Sequence, residues 1–206
     1  PAAAADCRAG GASSRPNTAS GAGSKATADR ITNRDRWATT SGAGLCPLEF
    51  PALAGLIIHP SEGAILFDTG YDPAFFAATQ PMPERLYRWA TPVQLKDGHA
   101  VADQLQRYGL KAEDVRHIVI SHFHGDHIAG LHAFPSARLF CSRAGAAQLT
   151  RGSRFGRVRR GLLSALAPAE MNQRAHFFED MPAAPLGDEL KPFETGADLL
   201  GDSSLL

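Results

Sequence analysis

The sequence predicts a layered α/β domain, and three observations carry that prediction. Short apolar runs of strand length, at Leu53–Ile58, Ala64–Phe67, Val115–Ile120 and Ala137–Cys141, are separated by stretches with other patterns, one of them at helical spacing. Turn residues punctuate the runs, notably Pro60-Ser61-Glu62-Gly63 and Asp68-Thr69-Gly70. Directly after Ile118-Val119-Ile120 comes a dense polar cluster, Ser121-His122-Phe123-His124-Gly125-Asp126-His127.

Taken in order, residues 1–36 are rich in Ala, Gly, Ser, Thr and Arg, with almost no large apolar side chain before Ile31. Such a segment buries too little surface to offset its ordering entropy and reads as a disordered leader. Residues 37–206 read as one domain, a size that buries a substantial core. Within it, Leu53–His59 and Ala64–Phe67 form a hairpin with apolar residues on both faces, as inside a layered sandwich. His59 abuts the turn and reads as a solvated hairpin histidine.

Between Tyr71 and Pro92 lie Phe75, Phe76, Tyr87 and Trp89, interrupted by Pro73, Pro81, Pro83 and Pro92. The prolines exclude one long helix and favour short ones. The aromatics suit either the wall of a substrate pocket or a small core under a loop. Val101–Tyr108 has helical spacing with Gly109 as its stop. That helix leads into the strand Val115–Ile120, which delivers the polar cluster. His99 and His117 read as structural or surface residues, and His132 as too far along its helix to join the cluster. Cys141 reads as a small buried hydrophobe, and His176 as part of a strand. Arg151, Arg154, Arg157, Arg159 and Arg160 read as a solvated basic face, with a phosphate clamp as the alternative.

The balance of 21 Lys+Arg against 21 Asp+Glu offers no global field for nucleic acid or an anionic membrane. No run approaches the roughly 18 apolar residues of a membrane span. Three widely spaced cysteines make no disulfide framework and favour a reducing compartment, the cytoplasm. No secretory signal is visible, although the chain starts at Pro1 rather than methionine.

The cluster itself predicts a metal site. Three imidazoles and a carboxylate within six residues suit borderline first-row cations such as zinc, iron or manganese. Extended backbone after the strand would put His122 and His124 on one side. Gly125 would then allow a turn, and Asp126 and His127 would open a helix carrying Ile128 and Leu131 on one face. Four ligands exceed what one hydrolytic ion usually takes from so short a stretch. The simplest division is His122 with His124 for one ion and Asp126 with His127 for a second.

His122-x-His124-x-Asp126-His127 resembles the signature of the metallo-β-lactamase superfamily, as does the strand-Asp-Thr-Gly turn at Ile65-Leu66-Phe67-Asp68-Thr69-Gly70. The spacing between them is most similar to its lactonase-like hydrolases. The resemblance runs from about Leu45 to the C-terminus. It implies an αββα sandwich holding two divalent metal ions, zinc first, with a metal-activated hydroxide attacking a small ester, lactone or related carbonyl substrate. It gives Asp68 the task of holding the metal-bearing loop by hydrogen bonds. Asp126 is placed to move a proton to the leaving group. Family members complete the site with a histidine, a bridging aspartate and a last histidine beyond the signature, and neither Asp198 nor Asp202 fits that pattern. The resemblance therefore implies that the chain carries only the N-terminal half to two-thirds of the fold. A phosphodiesterase or nuclease of the same fold, and a truncated metal-binding domain without catalysis, are the alternatives.

Overall fold

The computed structural model describes the backbone of residues 27–41 and 44–206, with side chains from residue 51 onward. Residues 1–26, most of the expected leader, lie outside the described residues. The expected boundary at Arg36 falls inside a strand. β1 (Thr27–Ser41) pairs antiparallel with β2 (Gly44–His59) without interruption through Arg36. A ladder satisfies backbone N–H and C=O groups whatever side chains they carry, so a composition poor in large apolar residues does not exclude a strand.

β2 turns at Gly63 (φ 73°) into β3 (Gly63–Phe67), as the hairpin signals predicted. With β4 (Val93–Gln94), β5 (Val115–Val119), β6 (Arg138–Cys141) and β7 (Ala175–Phe177), these strands form one mixed sheet in the order β4-β1-β2-β3-β5-β6-β7. The β3–β5, β5–β6 and β6–β7 pairs are parallel. Parallel neighbours need crossovers, and short helices supply them. α1 (Ala74–Ala78), α2 (Glu84–Ala90) and α3 (Val101–Gln104) lie between β3 and β5, and α4 (Gly125–Ile128) between β5 and β6. α5 (Arg143–Gln148), α6 (Arg154–Arg159) and α7 (Met171–Arg174) lie between β6 and β7. α3 continues as a 3₁₀ turn to Tyr108 and stops at the left-handed Gly109, where the sequence placed its end.

Strand alternation divides the core in two. Ala64, Leu66, Ile118 and Ile120 face the larger cluster with Leu56, Phe75, Ile128, Leu131 and Leu163. Ile65 and Val119 face the other way, where Phe178, Met181, Leu199, Leu200 and Leu205 cover them. β8 (Ala183–Pro185) and β9 (Thr195–Ala197) form a separate antiparallel pair.

Two expectations are refined here. His59 is buried rather than solvated. Its Nε2 lies 3.0 Å from Ser204 Oγ, and its Nδ1 accepts the Glu62 N–H at 3.2 Å. The turn folds its amides inward, and a residue 145 positions later packs over the ring. The aromatic insert divides between core and surface. Phe75 is fully buried, edge-on to Tyr71 and Tyr87, whereas Tyr87 also reaches a surface groove and Trp89 stays exposed.

Candidate metal centre

The site grows from the C-terminal ends of β3 and β5, which are parallel neighbours. Asp68 follows β3 directly, with its N–H bonded to the Val119 carbonyl at 2.8 Å. Its φ of 62° is unusual for a residue with a Cβ, though aspartate is among those that tolerate it. Three bonds hold it there. Oδ1 accepts the Ser121 N–H at 2.9 Å, Oδ2 accepts the Ser121 hydroxyl at 2.7 Å, and Oδ2 lies 2.7 Å from His127 Nδ1. The carboxylate is buried. It ties the strand end to the loop and the loop to the helix.

Thr69 adds a second tie. Its N–H and its hydroxyl both donate to the His127 carbonyl at 2.8 Å. Gly130 packs against this turn so closely that a Cβ would lie 2.8 Å from the Thr69 carbonyl oxygen. Gly130, not Gly125, is thus the glycine that the site cannot exchange for a larger residue. A Cβ on Gly125 would meet the Phe75 ring at 3.4 Å and Leu163 Cδ1 at 3.5 Å, side chains rather than backbone.

His122, Asp126 and His127 each present a ligand atom, and these atoms all lie within 4.8 Å of one another. The rings of His122 and His127 are 3.8 Å apart, centroid to centroid. His124 is near, with its ring 4.7 Å from that of His122, but its Nε2 bonds the Arg160 carbonyl at 3.0 Å. The observed grouping thus sets His122 with Asp126 and His127, which differs from the pairing drawn from spacing alone. The ring of His124 stands edge-on beside that of His122, while its Nε2 is engaged by the carbonyl of residue 160. His132 is exposed and stands 3.4 Å from the Ala165 carbonyl, outside the group.

The donor set fits a divalent cation in its chemistry, whereas its protonation is divided between the two histidines. Burial lowers the pKa of His122, assisted by the neighbouring His127 and His124, and a neutral imidazole is the ligating form. Burial also works against charge on His127, but the hydrogen bonds it donates to Asp126 and Asp68 outweigh it and raise the ring to about 9. Burial opposes ionisation of Asp126, yet its bond to His127 prevails and holds the carboxyl below its usual range. With His127 Nδ1 committed to Asp68, its Nε2 faces the cluster, 3.1 Å from Asp126 Oδ2. A carboxylate behind a histidine is the usual way its free nitrogen is aimed at a cation.

A groove of about 520 Å³ opens beside the cluster. Leu86, Tyr87 and Ala90 of α2 line one wall, Phe155 and Val158 of α6 the other, and His124 and Asp126 reach it from below. The basic run is largely solvent-exposed, as read from the sequence, yet three of its arginines are also tied within the protein. Arg154 makes a two-point bond to Glu84, both contacts 2.7 Å, while Arg157 donates to the Gly152 carbonyl and Arg160 to that of Arg151. α6 is only six residues long, capped by Ser153, so the arginines diverge over a helix and two turns. Of the groove residues, Tyr87 stands out in the sequence with the aromatic insert, but Leu86, Ala90, Phe155 and Val158 do not. No signal joins the two walls, because they are about 70 residues apart.

A family model described as the metallo-beta-lactamase superfamily matches residues 48–203, and the chain belongs to that superfamily. A probable metallo-hydrolase of Mycobacterium tuberculosis is 33% identical over 89 residues, covering 43% of this chain and 28% of that protein. Its counterpart in Mycobacterium bovis matches to the same extent. An N-acyl homoserine lactone hydrolase, solved with the product N-hexanoyl-L-homoserine at its catalytic metal center, superposes with a TM-score of 0.56 at 18% identity. That match covers 80% of this chain and 62% of the other. A probable metal-dependent hydrolase from Staphylococcus aureus gives 0.56 at 12% identity, over 74% of this chain and 58% of that one. At these identities the structural likeness is one of fold. The matched region spans less than two-thirds of each of these relatives. Among the described residues no helix is long and apolar enough to cross a membrane.

Proposed function

We propose that this chain carries the metal-binding part of a hydrolase acting on a small ester or lactone whose acyl group lies in the groove between α2 and α6. The observation that carries the proposal is the convergence of His122, Asp126 and His127, of which Asp126, together with His124, also lines an apolar groove. His122, Asp126 and His127 would hold the cation, with His124 supplying a further donor once its bond to the Arg160 carbonyl opens. Zinc is the first choice for this nitrogen-rich set, iron or manganese the alternatives, and the four donors suit two ions. Such an ion supplies Lewis acidity at the carbonyl and lowers the pKa of water at the site.

The chain's own residues do the rest. Asp68 and Ser121 keep the loop and the His127 ring in register. Asp126, held ionised beside His127, accepts a proton from water or returns one to the leaving oxygen. The groove orients the substrate by burying its apolar part, and Leu86, Phe155 and Val158 exclude water there.

The N-hexanoyl-homoserine held by the lactone hydrolase neighbour has the same division into an apolar chain and a polar head. A phosphodiester reading is less favoured, since Arg154, Arg157 and Arg160 are engaged within the protein.

The test is a panel of acyl lactones, acyl esters and a phosphodiester, with added zinc or manganese and with a chelator. Chelator-sensitive hydrolysis of the lactones or esters, lost in His122→Ala and His127→Ala, is the expected result. Metal retention unchanged in both variants would overturn the metal site. Turnover of the phosphodiester alone would overturn the substrate class.

A further inference from the structure

We propose that the Glu84–Arg154 ion pair is a clasp that sets the width of the far end of this groove, making both residues positioning residues for the substrate's apolar chain. The inference rests on the reading of the groove as the acyl site. α2 and α6 have seven and six residues, too few to hold a position by helix propensity alone. Their separation must come from contacts with the rest of the protein, and α6 is tied at both ends. At its C-terminal end the Arg160 carbonyl bonds His124 Nε2 at 3.0 Å, which anchors it beside the cluster. At its N-terminal end Arg154 Nε and Nη2 each meet a Glu84 oxygen at 2.7 Å.

Glu84 is 8% exposed, so its carboxylate depends on that partner. Two parallel charge-assisted bonds also fix direction as well as distance. Six residues of helix span about 9 Å, which places the clasp well away from the reacting carbonyl and level with the outer part of a bound chain. Between the two ties Leu86, Tyr87, Phe155 and Val158 make the walls mostly apolar, with Arg159 the charged exception, and Phe155 is 59% exposed at the rim, surface that a bound chain would cover. The geometry therefore separates two tasks: the His124 end positions the head of the substrate, and the Glu84–Arg154 end selects its chain.

The test uses the full chain with Arg154→Met, Glu84→Gln and the exchanged pair Glu84→Arg/Arg154→Glu. Butyryl and decanoyl esters of one alcohol are the substrates, and decanoate is the non-reacting probe, followed by calorimetry. The single variants are expected to raise KM for the decanoyl ester, and Kd for decanoate, by about tenfold, the scale of a small misplacement of a binding wall. KM for the butyryl ester and kcat for both should stay within about twofold of the parent. The exchanged pair should recover most of the loss, and it gives the reading if a single variant does not fold. Equal loss for both esters, or a lower unfolding temperature with decanoate affinity intact, would overturn the clasp. Clasp-dependent binding of decanoate without hydrolysis of either ester would sink the proposed function and leave this inference standing. A parent chain that binds no decanoate would sink the inference whatever it hydrolyses.

Discussion

Asp68 Oδ2 lies 2.7 Å from Nδ1 of His127, a residue 59 positions further along the chain. The contact joins the end of one strand to the helix that follows its parallel neighbour. It also decides which nitrogen of His127 faces Asp126 and the cluster.

Replacing Asp68 with Asn tests that tie while respecting the left-handed backbone, which asparagine also tolerates. The loss of one charged acceptor should weaken zinc binding about 10–100-fold, the usual cost of removing a carboxylate that aims a ligand. Competition against a coloured chelator measures it. Unchanged affinity would mean that His127 is aimed by packing alone.

His127 gives the pH dependence. Its folded-state pKa of about 9 exceeds the ordinary imidazole value. In the metal-free chain its contribution to stability is therefore full below about pH 6.5 and disappears as pH rises through its folded pKa. A cation needs the neutral ring, so at pH 7 binding should expel a proton and tighten as pH rises. Calorimetry in buffers of different ionisation enthalpy reads the proton release, and His127→Gln should abolish it.

Gly130→Ala would force a Cβ to within 2.8 Å of the Thr69 carbonyl oxygen and 3.0 Å of the Thr69 Cβ. Both atoms belong to a turn pinned to His127, so the strain should cost about 1–3 kcal/mol in urea denaturation. Gly125→Ala should cost far less, since the new methyl meets only side chains, the Phe75 ring at 3.4 Å and Leu163 at 3.5 Å, and alanine favours the helix there.

Cys141 is fully buried, and burial, reinforced by the charge of Glu179, pushes its thiol up to about 11. In a chain with Cys7→Ser and Cys46→Ser, iodoacetamide at pH 8 should leave Cys141 unmodified until denaturant is added. Labelling of the folded protein would contradict the packing described for β6.

The parts legible from sequence are those that residues encode with their immediate neighbours. Ligand density in His122–His127, the turn at Asp68-Thr69-Gly70, the hairpin around Gly63 and the stop at Gly109 all depend on spacings of a few residues. Hidden were the contacts between distant segments. Nothing near Glu84 announces Arg154, nothing near Gly130 announces Thr69, and the burial of His59 depends on Ser204.

By itself the sequence determined that a strand would deliver three histidines and an aspartate to one loop, because side-chain alternation and turn chemistry are local. Only the tertiary structure decided which of those groups converge, when the Arg160 carbonyl claimed His124 and Asp68 claimed one nitrogen of His127. It also decided that α2 and α6 would face each other across a groove. The physical reason is that hydrogen bonds and packing between remote segments follow from how parallel strands and their crossovers are laid side by side, which no short window of residues contains.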